Sequence, residues 1–407
     1  MEGNDEKREQ LKPDAQWEFV FIFGILGILL GSYAYIYSGW QFSLLFILGS
    51  LIGFTLFHAR FGFSAVYRHI VESGNTEMLR AHMVMLGTAS LLFAPIFAFD
   101  VGLFGQAPQP ALAPASFGVV VGAFLFGFGM EIGSGLAPSS LYRAEGGRTA
   151  SIFTLAGFFL GSFAGAYHYT FWHDVLPAPP EFSLATDTVL GYGGSVFLQL
   201  LLFVGIGVGT YMYKLQKRPP ALPPLPSVAG WRRMMFGSWP LWTGAALLGV
   251  LNAAVLMVQG SPWKLTAAFT FWSSSLAETL GIDAAGWAYW GSQDSWIALD
   301  RSVFMHDLSV LNFGVITGTL LTLALGGLIR FGPVPPRVIA AALGGGLLMG
   351  YGATISFGAN IGAYFSAIAS FSLHAWVWTF MAVIGVYSAF FLAKKLNLPR
   401  AGSKGKG

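Results

Sequence analysis

The sequence predicts an all-α, polytopic membrane protein of about ten transmembrane helices with short broken or re-entrant helices. Three observations carry this prediction. Of the 407 residues, 55% are hydrophobic and only 10% are charged, against about 25% charged in a soluble domain. The apolar residues fall in runs close to the roughly 20 needed to cross the hydrocarbon core of a bilayer. Lys and Arg gather in every second loop, as they do in a chain that threads back and forth across a membrane.

In chain order, residues 1–16 are polar and mixed in charge and read as a cytoplasmic N-terminus. The run from Trp17 to about Ser38 is longer than the apolar core of a signal peptide and lacks an A-x-A exit, so it is expected to be a retained first span. Further spans are predicted at 42–58, 81–99, 116–135, 150–171, 189–213, 239–259, 303–329, 338–357 and 374–393, with half-helices at 61–72 and 263–280. The proline-rich run 218–226 (RPPALPPLP) is extended and semi-rigid. It lies in a linker, 214–236, that divides a first membrane repeat (17–213) from a second (237–396), with a cytoplasmic tail at 397–407.

Orientation follows from the basic residues. Arg60, Arg68 and Arg80 follow span two, Arg143 and Arg148 follow span four, and Lys214, Lys217 and Arg218 follow span six. Lys394, Lys395 and Arg400 follow the last span, whereas loop 100–115 has no basic residue and 172–188 is acidic. Both termini are therefore expected in the cytoplasm, with Lys264 a basic exception on the far side.

Two stretches break the rules of a membrane helix. GFGMEIGSGLAPSSLYR (127–143) packs glycines, a proline, serines and Glu131 into an apolar span, and GYGATISFGANIGAYF (350–365) does the same later. An unpaired amide in hydrocarbon costs several kcal/mol, so irregular backbone survives there only when buried in protein or lining a cavity. Broken segments in corresponding halves point to a transporter's central site. Small residues also serve plain close packing. The breaks align, with Gly122, Leu125, Gly127, Gly129 and Gly135 over Gly345, Leu348, Gly350, Gly352 and Gly358. Five spans separate them, so the expected repeat is inverted. Half-helix N-termini suit a small anion, with Ser134, Ser139, Ser140 and Asn360 as side-chain donors beside Gly358.

Glu131 has two readings. A carboxylate at this depth costs about 2.5–3.5 kcal/mol on insertion scales. It is either a proton-coupling or gating group, or half of a structural ion pair with Arg68 or Arg143. Arg60, Arg68 and Arg143 would attract an anion at the pore mouth, or simply anchor the helices. Lys264 would do the same from the opposite side.

With Cys 0, the chain has no disulfide, thiolate metal site or iron–sulfur cluster. The seven histidines show no metal spacing and there is no Walker A motif, so no cofactor and no enzyme activity are expected. The net charge of +3 gives no nucleic-acid footprint.

The runs HARFGFSAVYR, GAFLFGFGMEIGSGLAPSSLYRAEGG and LLMGYGATISFGANIGAYFSAIASFSLHAWVW resemble the YeeE/YedE family of bacterial inner-membrane sulfur transporters. The resemblance covers nearly the whole chain after about residue 45. It implies an inverted-repeat permease with a central constriction that takes up thiosulfate or a related sulfur anion, with a cytoplasmic sulfur-carrier protein as a potential partner. It also implies cysteines at three places, occupied here by Gly62, Leu136 and Ala359. Leu136 and Ala359 would then form an apolar constriction. The alternatives are a transporter of a non-sulfur solute and a membrane scaffold that docks a sulfur carrier, with an integral redox enzyme the least supported.

Overall fold

The computed structural model describes residues 15–63, 66–67, 70, 74–133, 149–219, 239–292, 299, 302–329, 334 and 336–395. The described chain is helical, with only two isolated bridges, Pro114 with Glu181 and Ser183 with Ser372.

Helix α1, Trp17–His58, has 42 residues. At 1.5 Å per residue it is about twice as long as the hydrocarbon core is thick. It bends at Gly39, where φ is 74° and ψ −163°, a backbone conformation that glycine alone adopts readily. The bend separates the two spans that the sequence predicts. There follow α2 (Glu77–Ala98), α3 (Phe117–Gly133), α4 (Thr149–Tyr167), α5 (Gly191–Lys217) and α6 (Leu241–Gln259). The half-helix α7 is Leu265–Thr279, and α8 (Asp307–Leu325), α9 (Pro336–Ile355) and α10 (Leu373–Lys395) complete the bundle. Eight of these helices are long and apolar enough to cross a membrane, α1 among them, and α3 is a shorter apolar helix. Once α1 is divided at Gly39, the bundle has the predicted size.

Several predicted boundaries shift, among them those that flank the breaks. The span expected at 303–329 begins at Asp307, because Val303–Met305 form a separate 3-10 turn and the His306 side chain accepts from the Leu308 amide. The span expected at 150–171 ends at Tyr167, before a π turn at Phe171–Val175. The span expected at 338–357 ends at Ile355. The half-helix at 61–72 lies largely outside the described residues.

Lipid supplies no hydrophobic drive between helices, so close approach of backbones has to hold them. Glycines make that approach. A Cβ at Gly49 would lie 2.0 Å from the Leu311 carbonyl of α8, and one at Gly318 would lie 2.2 Å from the Ser50 carbonyl of α1. Helix α9 is clasped by α3 and α4 in the same way. A Cβ at Gly122 would meet the Gly352 carbonyl at 2.6 Å, and one at Gly345 the Gly129 carbonyl at 2.7 Å. In the register that lays Gly122 over Gly345 and Gly129 over Gly352, these two contacts exchange. The flanking helices follow suit. A Cβ at Gly127 would lie 2.0 Å from the Ala382 carbonyl of α10, and one at Gly350 would lie 2.0 Å from the Phe158 carbonyl of α4. Thus α10 sits on α3 as α4 sits on α9.

The first half of α1 is the outlying piece. Ile28 is 70% exposed there, as expected of a face in contact with acyl chains. Its N-terminus is tied to the end of α8, where Gln16 Nε2 donates to the Ile329 carbonyl at 3.1 Å and Gln16 Oε1 accepts from the Ile329 amide at 3.1 Å.

Candidate functional site

The second break begins where α9 ends. Phe357 takes φ 58° and Gly358 φ 143°, and the Gly358 amide reaches back to the Ala353 carbonyl at 2.8 Å. This six-to-one bond closes a helix through a left-handed residue. Gly358 needs its freedom twice over, since a Cβ there would also lie 2.7 Å from the Ala363 nitrogen. Ser356 fills the opening: its hydroxyl donates to the Gly352 carbonyl at 2.6 Å and accepts from Trp378 Nε1 at 3.0 Å.

A π turn follows, Asn360–Ser366, with every residue buried. Such turns are rare and recur at functional sites. The Ala359 carbonyl accepts from both Ala363 N (2.8 Å) and Tyr364 N (3.2 Å), which widens the turn. Asn360 Nδ2 donates to the thioether of Met130 in α3 at 3.4 Å, so the two predicted breaks are bridged at this level. A short α-helical turn, Ala367–Ala369, continues it and is closed at Phe371, φ 64°, where the Ser372 amide bonds the Ala367 carbonyl at 3.0 Å. Each left-handed phenylalanine costs on the order of 1–3 kcal/mol and persists only where the surroundings fix it.

A buried polar network does that fixing. Asn252 of α6 donates to Ser366 Oγ (3.1 Å) and accepts from the Trp263 amide (2.9 Å), while Ser366 Oγ donates to the Trp263 carbonyl (2.8 Å). Trp263 Nε1 donates to Asn312 of α8 at 3.2 Å, and Asn312 donates to the Leu308 carbonyl at 2.7 Å. Asn252 and Asn312 are both 0% exposed. This network seats the start of half-helix α7 against the π turn. Lys264 immediately precedes α7, half-buried, within electrostatic reach of His374.

From the first half, Gly62 lies between Phe61 and Phe63. These rings hold His82 of α2, Phe61 stacked at 4.7 Å and Phe63 edge-on at 5.0 Å. His82 Nδ1 lies 3.3 Å from the Tyr364 hydroxyl. The His82–Tyr364 contact thus joins the halves, with Gly62 beside His82 in the first and the Ala359 carbonyl on the Tyr364 amide in the second. Glu131 follows Met130 in the last turn of α3 and is 2% exposed.

On the other side of the turn an aromatic cover closes over Phe357. His173 packs on it at 4.6 Å and on Tyr169 at 4.2 Å, and its Nε2 donates to the Ile355 carbonyl at 2.9 Å. Burial holds the His173 imidazole below its ordinary pKa, opposed by that bond and by Asp174.

Of the predicted site residues, Gly358, Ala359 and Asn360 form the second break, Asn360 reaches Met130 next to Glu131, and Gly62 lies between the two rings that hold His82. Ser134, Leu136, Ser139, Ser140, Arg68 and Arg143 lie outside the described residues. Arg60 is exposed and takes φ 47° just past the end of α1, with its amide on the Phe57 carbonyl at 2.9 Å and Phe61 N on the Leu56 carbonyl at 3.0 Å. This is a helix-terminating motif, with a cation where the helix dipole favours one. Among the described residues no group of three or more His, Asp or Glu is placed to hold a metal. Sequence reasoning missed Tyr364, and read His82 only as one of seven histidines without metal spacing. No local signal pairs residues so far apart in the chain.

Apolar helices whose spans break at a buried polar centre are the build of a membrane transporter. The match to the sulphur transport family runs over residues 58–388, and the chain belongs to that family. It is 28% identical over 152 residues to the probable transporter YedE of Escherichia coli K12, covering 37% of this chain and 36% of YedE. The chain thus spans about a third of the length of that relative. It is 24% identical over 351 residues to the thiosulfate transporter TsuA of Spirochaeta thermophila, covering 83% of this chain and 95% of TsuA. Against TsuA of Escherichia coli K12 it is 22% identical over 367 residues, covering 85% and 93%.

Proposed function

We propose that this protein is a permease of the bacterial cytoplasmic membrane that takes up a small sulfur oxyanion, thiosulfate in the first place. The observation that carries the reading is the joining of the two halves by His82, beside the 60–63 segment, and Tyr364 of the π turn, inside a chain that aligns with thiosulfate transporters over most of its length. The path runs between the 60–63 segment and the π turn, narrowed by Leu136 and Ala359. Asn360, Ser134, Ser139 and Ser140 offer hydrogen-bond donors, and Arg60, Arg68, Arg143 and Lys264 draw anions to its mouths. The halves are inverted repeats, a reading supported by the exchange of glycine contacts between α3 and α9. Both termini face the cytoplasm, on the side where a sulfur-carrier protein would collect the product. The chain moves its substrate and does not transform it.

The test is flux into proteoliposomes with labelled thiosulfate, sulfite, sulfate and selenite. Uptake of thiosulfate is expected; well-folded protein that moves none of the four would overturn the reading. A non-sulfur solute is the second reading, favoured by Ala359 standing, 0% exposed, where the family resemblance implies a thiol. Glu131 gates this path through its protonation. Glu131→Gln is expected to alter the pH profile of uptake, measured as initial rate from acid to alkaline pH. An unchanged profile leaves Glu131 a structural role only.

A further inference from the structure

We propose that His82 and Tyr364 form a two-donor gate, closed in this structure, that recognises the oxyanion by hydrogen bonds as it passes Gly62. The inference rests on the transport reading above and deepens it by naming the groups that hold the anion.

The pair joins the two halves of the chain. His82 belongs to α2, Tyr364 to the π turn, and they meet at 3.3 Å, a long hydrogen bond that a better acceptor can displace. Both are buried, His82 at 2% and Tyr364 at 5% exposed. The imidazole is held between Phe61 and Phe63, so it cannot swing away to find another partner. Its second nitrogen, Nε2, is buried and lies beside the Gly62 backbone without completing a hydrogen bond of good geometry. A buried polar atom left this way is uncommon and calls for an explanation.

The chemistry of the pair supplies one. If the Tyr364 hydroxyl donates to Nδ1, the ring proton sits on Nε2, and a buried N–H is aimed at the Gly62 segment. An anion arriving there takes the Nε2–H directly. As the anion moves round the ring edge, the Tyr364 O–H leaves Nδ1 for it, so the bond that closes the path is exchanged for a bond to the anion and the two donors engage it in turn. Tyr67 lies within electrostatic reach of Tyr364. The donors are neutral, which favours binding strong enough to admit the ion and weak enough to release it. Such a site takes oxyanions, whose several acceptor oxygens let the second donor engage as the first lets go.

The test is the concentration dependence of labelled thiosulfate uptake by the full chain in proteoliposomes. Tyr364→Phe keeps the ring and removes one donor. His82→Phe keeps the stack and removes the other. Each is expected to raise KM roughly tenfold or more, the loss of one hydrogen bond to a charged group, with a smaller change in maximal rate. The double variant should lose less than the product of the two, because both act on one ion. His82→Gln, which restores an N–H near Nε2, should recover part of the affinity. Thermal unfolding of each purified variant checks its fold, and His82→Gln with Tyr364→Phe carries the test if His82→Phe does not fold. KM within about twofold of wild type in the folded variants, or a loss confined to maximal rate, overturns the gate while leaving the transport reading intact. A folded wild-type protein with no thiosulfate flux overturns the transport reading itself.

Discussion

Gly127→Val is expected to abolish recovery of folded protein. Even the first carbon of a side chain at 127 would lie 2.0 Å from the Ala382 carbonyl oxygen and 2.8 Å from its carbon. Both atoms are backbone, so no rotamer change relieves the overlap. Helices α3 and α10 would have to separate, and in lipid their close packing is what holds them together. Ordinary overpacking costs about 1–3 kcal/mol, and a clash against backbone on this scale exceeds it. Gly350→Val should fail in the same way, against the Phe158 carbonyl at 2.0 Å. Gly205 of α5 has no atom within 4 Å of its would-be Cβ, so Gly205→Val is the control that should behave as wild type. Size-exclusion chromatography in detergent reads the outcome. A monodisperse Gly127→Val peak with normal uptake would refute the packing argument.

Asn252→Leu has the second large effect. The substitution strips the Trp263 amide of its acceptor and Ser366 Oγ of its donor, both in the buried interior. An unmet buried group costs about 1–3 kcal/mol, so the variant should lose roughly 2–5 kcal/mol in a denaturant titration in micelles. Uptake should fall further than stability alone accounts for, because α7 and the π turn lose their common anchor. Stability within about 0.5 kcal/mol of wild type, the range of an uneventful substitution, would show that the network is incidental.

The helices were legible because length and apolar content alone define a membrane span. The bend at Gly39 was legible as a gap between two apolar runs. The second break was legible from Phe357, Gly358, Ala359 and Asn360, since that mixture cannot continue a helix in lipid. Its π character was not, because it depends on which amides share the Ala359 carbonyl. Asn252 and Asn312 sit inside apolar runs and carry no local signal of being partners of Trp263. The His82–Tyr364 pair joins residues 282 apart, a relation that only the packed fold creates. Arg60 went the other way, its charge drawing attention in the sequence while its backbone conformation shows it ending a helix.

The exchanged glycine contacts between α3 and α9 have a mechanical consequence. Helices meshed carbonyl against Cα at several levels cannot slide like a piston, because each step along the axis would drive backbone into backbone. The α3–α9 pair is therefore held in axial register, and only motions that carry both helices together keep these contacts intact.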